Sequence, residues 1–298
     1  MLARRAAASV ARIVSLLTLA ALGLLAAAAV GAAGFLFWRH LRIRQRLLRR
    51  VLRRGPRLRH PVVLVHGLLG FDTVELAGMR HEYFRGLPTL LEAQGCCVHR
   101  ARVSPAGSVA ERAEALASCV RALRARKVNI LAHSMGGLDA RYAITKLGLA
   151  DRVASLTTVA TPHRGTALAD LGTGLVGGRL GNALVRLGVP LDGLNDLTTA
   201  RTGDFNATVP DVAGVAYGSV VGVSRARRRT HPLLLPGWLY LRSAAGENDG
   251  LVPSFSQPWG EVLAEIEADH WAQIGWSRHF DAPAFYERLL GELRGRGF

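Results

Sequence analysis

The sequence predicts an α/β fold, a mostly parallel sheet with helices on both faces, behind a separate N-terminal segment. Two observations carry this prediction. Short continuous apolar runs alternate with segments of helical period, the order that builds a parallel sheet covered on both sides. The first run also enters a glycine turn, as a buried strand feeding a loop does. The chain has 298 residues and 49% hydrophobic content. The part after residue 60 is long enough for one large domain with a full core.

The N-terminal segment comes first. Residues 1–12 form a basic flank with Arg4, Arg5 and Arg12, and Ile13 to Trp38 is a run of twenty-six residues without a charge. A membrane-spanning helix needs ~20 residues, whereas a signal peptide has an apolar region of only ~7–15. The length favours an anchor; the small residues Ala29 to Ala32 keep a cleaved, signal-type segment as the alternative. Residues 39–60 are an Arg-rich linker in which Leu41, Leu48 and Leu52 recur at helical spacing among ten arginines from Arg39 to Arg59. Such a segment suits an amphipathic helix on anionic headgroups, or a solvated basic linker. Gly55-Pro56 closes it.

Charge follows this division. The first sixty residues hold thirteen Arg and no acidic residue, and so supply most of the net charge of +16. Basic residues flanking an apolar run point to membrane topology and lipid headgroups, and nucleic acid is not expected as a partner. By the positive-inside rule the arginines after the run stay in the cytoplasm and keep the following domain there. The expectation is a single-pass N-terminal anchor with the domain on the cytoplasmic face, export with cleavage being the alternative.

Within residues 61–298, Pro61 to Val65 reads as a buried strand entering the His66-Gly67 turn. Cys97 to Val103 reads as a strand, Ala110 to Arg126 as a helix, and Val128 to Ala132 as a strand. Met135 to Leu147 follows as a helix and Val153 to Ala160 as a strand. Further strands are expected at Gly214 to Val221, Leu239 to Ala245 and Glu261 to Ile266, and a closing helix from Pro283 to Leu293. Residues 170–199, rich in Gly and Leu, are the candidate for a short cap or lid. Cys96, Cys97 and Cys119 have no metal-ligand spacing and read as small hydrophobes; a disulfide to Cys119 is left open.

The chemistry lies at Val128-Asn-Ile-Leu-Ala-His-Ser134-Met-Gly-Gly-Leu138. A strand, a tight turn and a helix, with small residues two before and two after the serine, make a nucleophile elbow that exposes Ser134. Ala132 stands where the motif has its first glycine. Serine needs a base, and the base needs a carboxylate to orient it. In the α/β-hydrolase fold these follow the serine in the order acid, then histidine. Asp249, expected on a loop after a strand, is the acid. His270, after the predicted last strand, is the base, with His279 in reserve. The oxyanion donors expected are the amides of Met135 and Leu68. His66 and Gly67 support that loop, His66 bracing it without acid-base work.

These segments resemble the bacterial triacylglycerol lipases of the Pseudomonas and Burkholderia type. The similarity runs through Pro61 to Asp72, Tyr83 to Pro88, Ala132 to Tyr142, Thr161 to Thr166 and Asn248 to Val252. It implies carboxylic ester hydrolysis with Ser134, Asp249 and His270 in the matching positions. It also implies that Arg112 braces the oxyanion loop, the alternative being a solvated helix arginine, and that His163 and Arg164 shape the wall of the site. Where the family places a calcium-binding Asp, two residues after the histidine, this chain has Ala272. No calcium or other cofactor is therefore expected. The partner expected is a lipid ester, taken up in an apolar acyl pocket drawn from 171–199. A dedicated folding chaperone is admitted but no sequence feature requires one. The rival readings are a lipid acyltransferase or thioesterase with the same three residues, and a membrane-attached binding protein without activity.

Overall fold

The computed structural model describes residues 58–70, 73–76, 79–176, 192–277 and 279–298. The expected anchor 13–38 and the linker before residue 58 lie outside the described residues. Among the described residues no helix is long and apolar enough to cross a membrane.

The sheet has six parallel strands in the order β4-β1-β5-β6-β7-β8. In chain order these are β1 (Val62–Val65), β4 (Val98–Arg100), β5 (Val128–His133), β6 (Val153–Val159), β7 (Ala216–Gly222) and β8 (Glu261–Ile266). A two-stranded antiparallel ribbon, β2 (Thr73–Leu76) with β3 (Met79–Glu82), precedes β4 and was not anticipated. Among the described residues the α-helices are α1 (Leu87–Ala93), α2 (Val109–Ala122), α3 (Gly136–Lys146), α4 (Ala167–Val176), α5 (Asp192–Asn195), α6 (Thr199–Thr208), α7 (Leu235–Ala244) and α8 (Ala282–Gly295).

The uninterrupted apolar character of β1 has a direct cause. Successive strand side chains point to opposite faces, and both faces are covered. Val62 and Leu64 pack with Leu90 and Leu91 of α1 and Phe285 and Leu289 of α8. Val63 and Val65 pack with Leu116 and Val120 of α2 and Ile144 of α3. The order also reverses at β1: the chain passes from β1 to β4 on one side and returns to β5 on the other. Ligands of open α/β sheets bind beyond the carboxyl ends of strands at such a switch. Because Val65 pairs with Ala132, the loop after β1 and the turn after β5 meet there.

One expected element is corrected. Leu239 to Ala245 is not a strand but lies almost wholly within α7. Pro236 in the first turn suits a helix start. Leu234, Trp238 and Leu241 are buried at helical spacing while Leu239 and Tyr240 face solvent. The expectation that Asp249 follows a strand falls with it, since its loop follows a helix. The cysteine reading needs division too: all three are free thiols, Cys96 buried but Cys97 exposed. Both precede β4 rather than lying in it.

Candidate active site

Ser134 follows β5 and starts the turn into α3. Its φ is 56°, left-handed backbone that a non-glycine residue adopts only when its surroundings impose it. They do so at both ends of the residue. The Ser134 N–H donates to the Val159 carbonyl at 2.9 Å, and the Thr161 hydroxyl donates to the Ser134 carbonyl at 2.7 Å. Gly136 is required by close approach, since a Cβ there would lie 2.8 Å from the Val65 and His66 carbonyl oxygens.

The loop after β1 stands directly opposite. A Cβ on Gly67 would lie 2.7 Å from the Ser134 Cβ and 3.1 Å from its hydroxyl oxygen. The backbone N–H groups of Leu68 and Met135 donate to no acceptor among the described residues. His66 is buried, and its Nδ1 lies 2.9 Å from the Gly67 carbonyl, to which it donates. Arg112, expected to brace this loop, is fully buried and donates from Nη2 to the His66 carbonyl at 2.6 Å. It also donates to the Ser104 carbonyl and pairs with Asp139 at 2.7 Å. Burial pushes the Asp139 carboxyl up, against the pull of Arg112, to about 7.

The acid and the histidine meet although twenty residues separate them. Nδ1 of His270 lies 2.8 Å from Oδ2 of Asp249, and the His270 N–H donates to the Asp249 carbonyl at 2.8 Å. Asp249 is fully buried. Its Oδ1 accepts from the Leu251 and Val252 backbone N–H groups at 3.0 and 2.8 Å, and its Oδ2 from the side-chain Nε2 of Gln273 at 3.2 Å. Facing a carboxylate, Nδ1 carries the proton, and Nε2 of the neutral ring is left as an acceptor. The acid loop reaches this place by folding back onto the end of β7, where the Ser224 N–H donates to the Asn248 carbonyl at 2.8 Å.

Ser134 and His270 open onto one cavity of about 470 Å³. No hydrogen bond joins their side chains. The walls are apolar, with Leu68, Leu168, Leu194, Leu197, Trp271 and Ile274 prominent. Only Leu194 and Leu197 come from the segment expected to supply the acyl pocket; residues 177–191 of the lid candidate lie outside the described residues.

Other expected residues fall differently. His279 is exposed, and it is His270 that pairs with Asp249. His163 does not line the cavity, whose wall there is Pro162 and Thr166. It is buried behind the wall, 3.1 Å from the Thr158 hydroxyl and stacked on Trp259, and burial lowers its pKa. Arg164 points outward and donates to the Pro258 carbonyl at 2.8 Å. Asp269, beside His270 in sequence, holds the histidine loop, a part that sequence reasoning missed. Asp269 accepts from the Trp271 and Ala272 amides at 3.0 and 2.7 Å and from the His231 amide at 2.8 Å. Among the described residues no cluster of three acidic, His or Cys side chains could hold a metal. With Asp269 engaged by backbone amides and Ala272 in the family's ligand position, the residues present do not fit a calcium site.

Residues 57–180 match the family model described as "Putative serine esterase (DUF676)". A triacylglycerol lipase of Vibrio cholerae is 33% identical over 244 residues, 70% of this chain and 76% of that protein. Triacylglycerol lipase 2 of Saccharomyces cerevisiae is 32% identical, over 73% of this chain and 74% of that protein. In structure the chain is similar to the mature Bacillus licheniformis lipase BlEst2, with a TM-score of 0.62 at 23% identity over 80% of this chain and 93% of that one. A metagenomic carboxyl esterase gives a TM-score of 0.65 at 24% identity, over 80% and 76%. The structural likenesses support the α/β-hydrolase fold.

Proposed function

This chain belongs to the triacylglycerol lipase family, and we propose that Ser134, His270 and Asp249 carry out its hydrolysis of lipid carboxylic esters. The observation that supports the assignment most is a coincidence in space. A strained serine and a histidine oriented by a buried carboxylate open onto the same apolar cavity.

The chemistry is two acyl transfers. Nε2 of His270 takes the Ser134 proton as the hydroxyl oxygen attacks the ester carbonyl. The Leu68 and Met135 amides, which have no other acceptor among the described residues, receive the developing oxyanion. Asp249 holds the imidazolium in place. The proton passes from His270 to the departing alkoxide, the alcohol leaves, and an ester joins the acyl group to Ser134. Water then gives a proton to His270 and attacks this ester, and the return of that proton to Ser134 releases the acid.

The apolar walls favour an aliphatic acyl chain, so acylglycerols and related lipid esters are the proposed substrates. Release of fatty acid from tributyrin and longer triacylglycerols, by wild type and by Ser134→Ala, tests this. Turnover that survives in Ser134→Ala sinks the assignment. Acyl transfer to added alcohol in preference to water would move the enzyme to the acyltransferase class.

We also propose that residues 13–38 anchor the chain in a membrane by a single pass, with the arginines of 39–59 on anionic headgroups of the cytoplasmic face. The support is the length of the uncharged run and the ten arginines after it. Protease accessibility in oriented membrane vesicles tests the side. N-terminal sequencing of the native chain tests cleavage.

A further inference from the structure

A chain of hydrogen bonds crosses the floor of the site and involves two side chains to which the mechanism above gives no part. The Gly67 N–H donates to the Tyr83 hydroxyl oxygen at 3.1 Å. That hydroxyl lies 2.7 Å from Nδ1 of His133, and Nε2 of His133 lies 3.1 Å from the His270 carbonyl oxygen. His133 is fully buried and precedes the serine. Its ring packs against the ring of His270 with centroids 4.5 Å apart.

The protons in this chain have one consistent arrangement. A carbonyl can only accept, so Nε2 of His133 carries a hydrogen. Burial and the neighbouring His270 keep the ring neutral, so Nδ1 has a lone pair and accepts from Tyr83. Burial likewise holds the proton on Tyr83. The hydroxyl, having donated to His133, meets the Gly67 N–H with a lone pair. Each bond thus points from the oxyanion loop toward the histidine loop.

The ends of the chain matter because of what stands beside them. Gly67 precedes Leu68, whose amide is assigned to the oxyanion. The His270 carbonyl belongs to the residue assigned as base. We infer that Tyr83 and His133 form a positioning pair that ties the oxyanion loop to the backbone of the general base across the elbow of Ser134. This rests on the site assignment proposed above. Neither residue exchanges a proton with substrate. Both hold the two halves of the site at one spacing, so their effect falls on the rate of acyl transfer rather than on substrate uptake.

The test is steady-state hydrolysis of p-nitrophenyl butyrate by the full chain and five variants, with thermal unfolding of each. Tyr83→Phe keeps the ring and removes the link, leaving the Gly67 N–H and His133 Nδ1 without their partner. A loss of roughly ten-fold in kcat is expected, with KM within about two-fold. His133→Asn can still accept from Tyr83 but does not reach the His270 carbonyl. His133→Gln reaches the carbonyl but not Tyr83. Each is expected to lose about as much as Tyr83→Phe. The double variant Tyr83→Phe with His133→Asn falls no further than the worse single one, because one broken link already disconnects the chain.

Wild-type kcat in Tyr83→Phe, losses that multiply in the double variant, or losses that appear in KM alone overturn the inference. If Tyr83→Phe is unfolded at the assay temperature, the two His133 variants decide by the same criteria. Ser134→Ala separates the two readings. If it retains activity, the site assignment itself is wrong; if it is inactive while Tyr83→Phe matches wild type, only the positioning pair is wrong.

Discussion

Gly67 packs against Ser134 so closely that a Cβ on the glycine would lie 2.7 Å from the serine Cβ. No side chain fits there unless the loop after β1 and the turn after β5 move apart, and those two segments carry the expected oxyanion amides. Gly67→Ala is therefore expected to cost about 100-fold in kcat/KM, the scale of an ångström-sized misplacement at a reacting centre. Assays with p-nitrophenyl butyrate and a melting curve check this. Unchanged kcat/KM would mean that the loop has no part in the reaction.

Arg112 and Asp139 are both fully buried and depend on each other. Arg112→Ala leaves the Asp139 carboxyl, already raised to about 7 by burial, and the His66 and Ser104 carbonyls without their partner, and a loss of about 3–5 kcal/mol in stability is expected. Replacing both, as Arg112→Met with Asp139→Leu, removes the orphaned carboxyl and is expected to recover much of that loss. Activity should stay low in the double variant because the His66 carbonyl has still lost its donor. Urea unfolding and esterase assays on the same samples separate these effects.

The buried histidines outside the proposed triad give stability a pH dependence of known sign. His133 and His163 are held neutral by burial, with pKa values well below the ordinary 6.5. The unfolded chain gains protons near 6.5 that the folded chain refuses until lower pH. Their contribution is complete above pH 6.5 and is lost as pH falls from 6.5 toward the folded values. The slope approaches about 1.4 kcal/mol per pH unit for each histidine. The raised Asp139 carboxyl contributes the opposite slope over part of this range, so urea unfolding of wild type against His163→Gln at pH 7.5, 6.5 and 5.5 measures it by difference. His163→Gln should remove roughly one histidine's share of the slope, and an unchanged slope would contradict the account.

The cavity predicts selectivity. Leu197 is buried at its wall, and Leu197→Trp would fill space that a long acyl chain needs. The ratio of kcat/KM for p-nitrophenyl palmitate to that for the butyrate should drop by about ten-fold or more, with the butyrate rate little changed. An equal loss on both esters would mean that the acyl chain lies elsewhere.

Much of this site was legible in the sequence because its residues sit in motifs whose neighbours are fixed by local sterics. The elbow is the clearest case: an apolar strand, then small residues around Ser134, dictates the turn before any tertiary contact is known. Chain order singled out Asp249 and His270, which the fold brings into contact, and β8 was read with its observed bounds. What was misread depends on distant packing. Leu239 to Ala245 is short and largely apolar, which leaves strand and helix undecided by pattern alone, and the burial of Leu234, Trp238 and Leu241 along one face decides for a helix. The position of Asp249 survived that error because the Ser224–Asn248 bond returns its loop to β7. Tyr83 and His133 were quoted within motifs, yet no local pattern says that residues 50 positions apart meet through a hydroxyl. Gln273 and the backbone clamp of Asp269 were hidden for the same reason.

The central claim is that Ser134 is the nucleophile, and covalent labelling tests it most directly. The full chain, treated with a fluorophosphonate and digested, is expected to carry one phosphonyl group, on the peptide containing Ser134. Ser134→Ala should carry none, and His270→Ala should react far more slowly. A label on another residue, or labelling that persists in Ser134→Ala, would contradict the account.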